Sequence, residues 1–110
     1  MVFVETSLYS SLLNRYLSDD EYAALQNELA THPNAGSIIP GTGGLRKIRF
    51  HCPGKGKGKR SGVRIIYYWY TEKDRIYLLS IYYKGEVADL TSREKKTLKQ
   101  LVEAWKNEQA

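Results

Sequence analysis

The chain has 110 residues, 42% of them apolar and 26% charged, with a formal net charge of +5. That suffices for one modest core two layers deep in one domain, 1–110, while no apolar run approaches a membrane span. The opening MVFVETSLYSS lacks the basic start and long apolar middle of a signal peptide, and the single Cys52 excludes an internal disulfide, so the expected setting is a reduced cytoplasm.

In chain order, Val2 to Val4 alternates weakly and reads as a short first strand. Leu8, Leu12, Leu13 and Tyr16 then recur at helical spacing. Ser18 followed by Glu21 has the pattern of a capping box, and Tyr22, Leu25 and Leu29 supply the apolar stripe of a second helix. His32-Pro33-Asn34 ends it, because proline disfavours helical geometry in the residue before it. NAGSIIPGTGG (34–44) reads as a loop, and LRKIRF (45–50) as a strand with its cations pointing outward. A glycine-lysine loop fills 51–62. VRIIYYWY (63–70) and IYLLSIYY (76–83), joined by TEKDR, form a hairpin signal rich in β-branched and aromatic residues. Thr91 with Glu94 opens a last helix, whose apolar face is Leu98, Leu101, Val102 and Trp105. The expected architecture is α+β: a mainly antiparallel sheet of three to four strands with two N-terminal helices and one C-terminal helix, packed on one side of the sheet.

Charge is unevenly placed. Residues 1–31 hold five acids and one base; residues 32–71 hold eight bases (Arg46, Lys47, Arg49, Lys55, Lys57, Lys59, Arg60, Arg64) and no acid. A forty-residue window without a carboxylate is a local positive field, whereas solubility alone is served by mixed signs. The expected partner is polyanionic, nucleic acid first and an acidic protein segment second.

Within that window, alternation sets Arg64, Ile66, Tyr68 and Tyr70 on one face of their strand and Val63, Ile65, Tyr67 and Trp69 on the other. A guanidinium at the start of a central strand is held more firmly than one on a loop, and its planar fork suits phosphate. The competing reading is an ion pair with Glu5, Glu86 or Asp89. In the hairpin the end of the second strand returns beside the start of the first, which brings Tyr82 and Lys84, two apart on one face, toward Arg64. Tyr83 points the other way, and Tyr67, Tyr68 and Tyr77 read as core. Lys55, Lys57, Lys59, Arg60, Arg46 and Lys47 are candidate RNA-binding cations around this centre.

His51-Cys52 is too small a ligand set for zinc, and GTGGLRK lacks the spacing of a phosphate-binding glycine loop, so no metal and no cofactor is expected. No serine, cysteine or carboxylate triad is visible. Lys, Arg and Tyr can nevertheless serve RNA cleavage, because RNA carries its own nucleophile in the 2′-hydroxyl. The protein must take that proton, stabilise charge on phosphorus and help the 5′-oxygen leave. No residue of the cluster stands out as the base, for no acid or histidine is expected in it unless His51 reaches it. The same cations could instead bind RNA without cutting it.

GTGGLRKIRF, GKGKRSGVRIIYYW and IYLLSIYYKGEVADLTSREKKTLKQLVEAW together resemble the HigB branch of the RelE superfamily of bacterial toxins, in family order and spacing from Leu17 onward. The resemblance implies a RelE-like, microbial-ribonuclease-like fold and the toxin of a type II toxin-antitoxin system: an mRNA interferase that cuts mRNA in the A site of the 70S ribosome. It implies a HigA-like helix-turn-helix antitoxin as partner. By position, Arg64 matches the arginine that stabilises the transition state, and Lys84 the basic residue proposed as general acid. Lys55, Lys57 and Lys59 match the loop that carries phosphate-binding lysines. The aromatic residue that some relatives stack on the substrate base falls near Leu90 here, so Tyr82 is the expected substitute. Two alternatives remain: a non-catalytic module binding RNA or ribosomes, and a ParE-like relative that inhibits DNA gyrase. The lysine loop, Arg64 and Lys84 argue against the latter.

Overall fold

The computed structural model of the chain describes residues 1–51 and 62–108. In order it runs β1 (Val2–Glu5), α1 (Ser7–Tyr16), α2 (Asp19–Thr31), β2 (Ser37–Ile38), β3 (Arg46–Phe50), β4 (Val63–Tyr70), a 3-10 turn (Thr71–Lys73), β5 (Arg75–Tyr83) and α3 (Ser92–Asn107). Both expected capping boxes form: Ser18 and Glu21 close the start of α2, and Thr91 and Glu94 the start of α3. In α1 the cap is Thr6, whose side chain accepts from the Tyr9 amide. Helical phase on α1 is set one residue later than the leucine spacing suggests. Tyr9 is fully buried, with Leu12, Leu13 and Tyr16 packed beside it, and Leu8 is left 53% exposed.

The sheet has five strands in the order β1-β5-β4-β3-β2. All neighbours are antiparallel except β1, which pairs parallel to β5 with Val2 opposite Arg75. The strand beyond the expected number is β2, a two-residue edge within the glycine-rich stretch 34–44, where Ser37 pairs Lys47. Parallel pairing of β1 follows from α1 and α2: the chain leaves the sheet edge through two helices before returning as an antiparallel meander.

The helices do not lie on one side. β4 is apolar on both of its faces, and a strand of that kind must be covered twice. One face carries Val63, Ile65 and Tyr67 with Ile76, Leu78 and Ile81 of β5, and packs against Tyr9, Leu25 and Leu29 of α1 and α2. The other carries Ile66, Tyr68 and Tyr70 with Tyr77 and Leu79, and packs against Leu98, Leu101, Val102 and Trp105 of α3. The Tyr77 and Trp105 rings stack with centroids 4.4 Å apart at 9°. The architecture is therefore three layers rather than two, within the expected α+β class.

Two adjustments position the residues discussed next. The β4–β5 register slips between Ile66 and Tyr67: Ile66 faces Ser80 while Tyr67 faces Leu78, so Leu79 is an extra residue on β5, a bulge. And α3 packs on the face that carries Ile66, Tyr68 and Tyr70, while the start of β4 and the ends of β3 and β5 border a cleft.

Candidate nucleic-acid interface

At that end, three strands place side chains in one cross-strand row: Arg49 on β3, Arg64 on β4 and Tyr82 on β5, in register with one another. With neighbouring strands about 4.8 Å apart, the row spans about 10 Å. It forms the floor of a cleft of ≈ 770 Å³. Lys47 extends the floor along β3; Lys84, Asp89 and Leu90 come from the connection that follows β5, and Lys95 from the first turns of α3. Ile39, Ile66 and Val87 add apolar wall. The lining thus mixes charged and apolar side chains, a combination that suits a nucleotide: cations for phosphate and flat apolar surface for a base.

The charge balance is strongly one-sided. Among the described residues, five cations line the cleft (Lys47, Arg49, Arg64, Lys84, Lys95) against one acid, Asp89. Arg64 is the most confined of them, 8% exposed in a central strand whose other side chains are packed. Its backbone is fixed by the central strand, which limits how far the guanidinium can wander. Of the acids that could compete for Arg64, Glu5 accepts from Ser10 and Tyr22 on the α1–α2 side. Glu86 accepts from the Tyr16 hydroxyl and the Tyr83 amide, while Asp89 shares the cleft with Arg64.

Tyr82 is half-buried, and its phenol is held above the usual tyrosine pKa. Burial is the main cause; the Asp89 carboxylate adds to it, and the Arg64 guanidinium works the other way. The phenol is consequently neutral at physiological pH. It can stack or donate a hydrogen bond, but it is not available as a phenolate base.

The structure sorts the residues singled out in the sequence. Arg64, Tyr82, Lys84 and Lys47 meet in the cleft, with Arg49 beside them. Arg46 does not join them, because it lies across from Tyr67 on the opposite face of the sheet. There its guanidinium donates to the Gly36 carbonyl at 2.7 Å and the Asn34 carbonyl at 3.3 Å, so Arg46 clamps the turn after α2 instead of meeting a ligand. Tyr67, fully buried, holds the same turn by donating to the Pro33 carbonyl and accepting from the Gly36 amide. Lys55, Lys57, Lys59, Arg60 and Cys52 lie outside the described residues. His51 is exposed at the end of β3 and is not among the described lining of the cleft.

Three charged lining residues were not among the candidate site residues: Arg49, Asp89 and Lys95. Asp89 overturns the expectation that no acid enters the cluster; it sits in GEVADL, a stretch with no periodicity, and reaches the cleft only because that connection folds back over the sheet. Lys95 lies near the start of α3, outside the helix positions that the apolar stripe singles out. Among the described residues, no three His, Cys, Asp or Glu side chains gather as a metal ligand set, and no helix is long and apolar enough to cross a membrane.

No family model matches the sequence. Solved structures share the fold. The toxin-antitoxin complex RelBE of E. coli, in its intact form, contains a chain that superposes with a TM-score of 0.53 at 17% identity, covering 77% of this chain and 98% of that one. Free E. coli toxin RelE carrying two arginine-to-alanine substitutions gives 0.50 at 16%, covering 76% and 83%. The isolated E. coli RelE toxin gives 0.50 at 16%, covering 91% of this chain and 97% of that one. What the chain has in common with them is the RelE fold: an α+β arrangement of helices around a mixed sheet.

Proposed function

We propose that this protein is the toxin of a type II toxin-antitoxin system of HigB type, an endoribonuclease that cleaves mRNA in the ribosomal A site and so inhibits translation. The observation that carries the reading is the cleft itself: Arg64, Tyr82, Lys84 and Asp89, from two strands and a connection, around one space of ≈ 770 Å³. The RelE fold and the sequence resemblance to HigB-type toxins support it. The proposed partners are the 70S ribosome, mRNA and a HigA-like helix-turn-helix antitoxin, in the cytoplasm.

The chemistry follows from what each group can do. The 2′-oxygen attacks the adjacent phosphorus as its proton passes to the Asp89 carboxylate. Negative charge then accumulates on the phosphoryl oxygens, where the Arg64 fork stabilises it more strongly than in the ground state. The bond from phosphorus to the 5′-oxygen breaks as the Lys84 ammonium donates a proton to that oxygen. One strand ends in a 2′,3′-cyclic phosphate and the other in a 5′-hydroxyl. Tyr82, neutral, stacks on a base next to the scissile linkage and holds the 2′-oxygen in line. The cations of residues 55–60 belong to the same proposal as phosphate contacts.

The test is expression of the chain alone, followed by mapping of mRNA 5′ ends. Growth arrest with new ends inside translated frames, and none in untranslated RNA, is the expected result. Intact mRNA with a DNA-damage response would point to gyrase instead, and RNA binding without new ends would leave only a binding module.

A further inference from the structure

Lys95 and Lys99 stand one helical turn apart on α3, about 6 Å along the axis. Lys95 lines the rim of the cleft opposite the β3 cations, and Lys99 continues outward from it. Their aliphatic stems rest on the turn 41–44. A methyl group on Gly41 would lie 3.5 Å from Lys95 Cδ, and one on Gly43 would lie 3.2 Å from Lys99 Cγ and 3.8 Å from Lys99 Cα. The turn is itself rigidly closed. Thr42, fully buried, donates to the Ile39 carbonyl at 2.7 Å and accepts from the Leu45 amide at 3.1 Å, while the Ile39 amide donates to the Leu45 carbonyl at 2.8 Å. Gly41 and Gly43 both take left-handed backbone angles, φ 82° and 78°, which bring their bare Cα atoms against the helix.

A lysine ordinarily sweeps many rotamers and loses that freedom on binding. Stems that rest on a closed turn have less freedom to lose. We infer that Lys95 and Lys99 bind two successive phosphates of the RNA strand as it leaves the cleft over α3, with the turn 41–44 as their buttress. This rests on the RNA-cleaving function proposed above and adds an exit path for the substrate strand past Lys95, which lines the cleft.

The test is equilibrium binding of a short single-stranded RNA, 2′-O-methylated throughout so that it cannot be cut, measured by fluorescence anisotropy across a salt series. Each phosphate contact contributes about 0.7 to the slope of log affinity against log salt for single strands. Lys95→Ala and Lys99→Ala are each expected to lower the slope by about that amount and to weaken binding severalfold. Lys73→Ala, which removes the same charge from the turn at the far end of the β4–β5 hairpin, should change neither. Slopes for K95A and K99A equal to wild type overturn the inference while leaving the nuclease reading intact. Absence of RNA binding by the wild-type protein at low salt also overturns the inference, while the nuclease reading stands or falls separately on the mapped mRNA ends. Gly43→Ala keeps every charge but presses on the Lys99 stem; if it melts like wild type and binds as tightly, the buttress is disproved.

Discussion

Replacing Arg64 separates charge from geometry. In Arg64→Lys the net charge of +5 and the long-range attraction for RNA are preserved. What is lost is the planar fork, held at 8% exposure between Arg49 and Tyr82 on the neighbouring strands. A hydrogen bond to a charged group is worth about 1.5–3 kcal/mol, and an ammonium at the end of a flexible stem recovers one of the fork's two contacts at best. The expected loss in kcat/KM is therefore about 1.5–3 kcal/mol, or roughly one to two powers of ten. Arg64→Ala removes the charge as well and is expected to lower kcat by about 10²–10³, the scale found when one preorganised oxyanion donor is deleted. The assay is single-turnover cleavage of mRNA on programmed ribosomes, with kcat and KM resolved and circular dichroism verifying that each variant folds. A folded Arg64→Lys enzyme as fast as wild type would show that position 64 supplies only diffuse charge. A folded Arg64→Ala enzyme retaining more than a tenth of the rate would remove it from the mechanism.

Asp89→Asn keeps the shape of the cleft and removes the proton acceptor; kcat should fall by about 10²–10⁴ with KM little changed, and equal losses in both would mark Asp89 as a binding residue. Tyr82→Phe should stay within about threefold of wild type because the phenol acts as a flat neutral ring, whereas Tyr82→Ala should lose about 1–3 kcal/mol of substrate binding; a Phe variant as poor as Ala would assign the hydroxyl a chemical role. Tyr67→Phe leaves the Gly36 amide and Pro33 carbonyl without their shared partner, at about 1–3 kcal/mol and about 4–8 °C in Tm for each kcal/mol, measured by thermal melts; an unchanged Tm would mean that water replaces the hydroxyl. Tyr9, Tyr22, Tyr67 and Tyr82 all have phenol pKa values raised first by burial. The unfolded chain releases these protons near pH 10 and the folded chain only at higher pH, so their contribution is complete below pH 10 and is lost as pH rises beyond it. Tm should be flat to about pH 9.5 and then fall steeply, less so in Tyr67→Phe; a melt that ignores pH up to 11 would contradict that burial.

Much of this arrangement was legible in the sequence where a local rule and the global packing agree. Ser18/Glu21 and Thr91/Glu94 mark the helix starts because capping depends on residues three apart. The hairpin and the shared face of Arg64 and Tyr82 follow from strand alternation. Features set by distant contacts were not legible. Leu8 and Tyr9 are both plausible core residues, and the packing of α1 against β5 chose Tyr9. Arg46 looks like its neighbours Lys47 and Arg49 until the turn after α2 offers it two carbonyls. The layer count was recoverable: Ile66, Tyr68 and Tyr70 are as apolar as Ile65 and Tyr67, which already demanded cover on both faces of β4. Asp89 was legible only as one of three acids that could pair with Arg64, since nothing in GEVADL announces that the connection folds back.

The bulge at Leu79 makes residue counting as restrictive as residue identity in this stretch. With Leu79 and Ser80 both turned toward α3, the parity of β5 flips, so Ile81 and Tyr83 join Leu78 over α1 while Tyr82 is delivered beside Arg64. Deleting Leu79 would heal the bulge and leave Tyr82 beside Arg64, whereas one residue inserted between Ser80 and Tyr82 would exchange the two adjacent tyrosines, sending the ring at 82 toward Tyr16. Along this strand, the number of residues between the bulge and Tyr82 decides which of two neighbouring rings reaches the cleft.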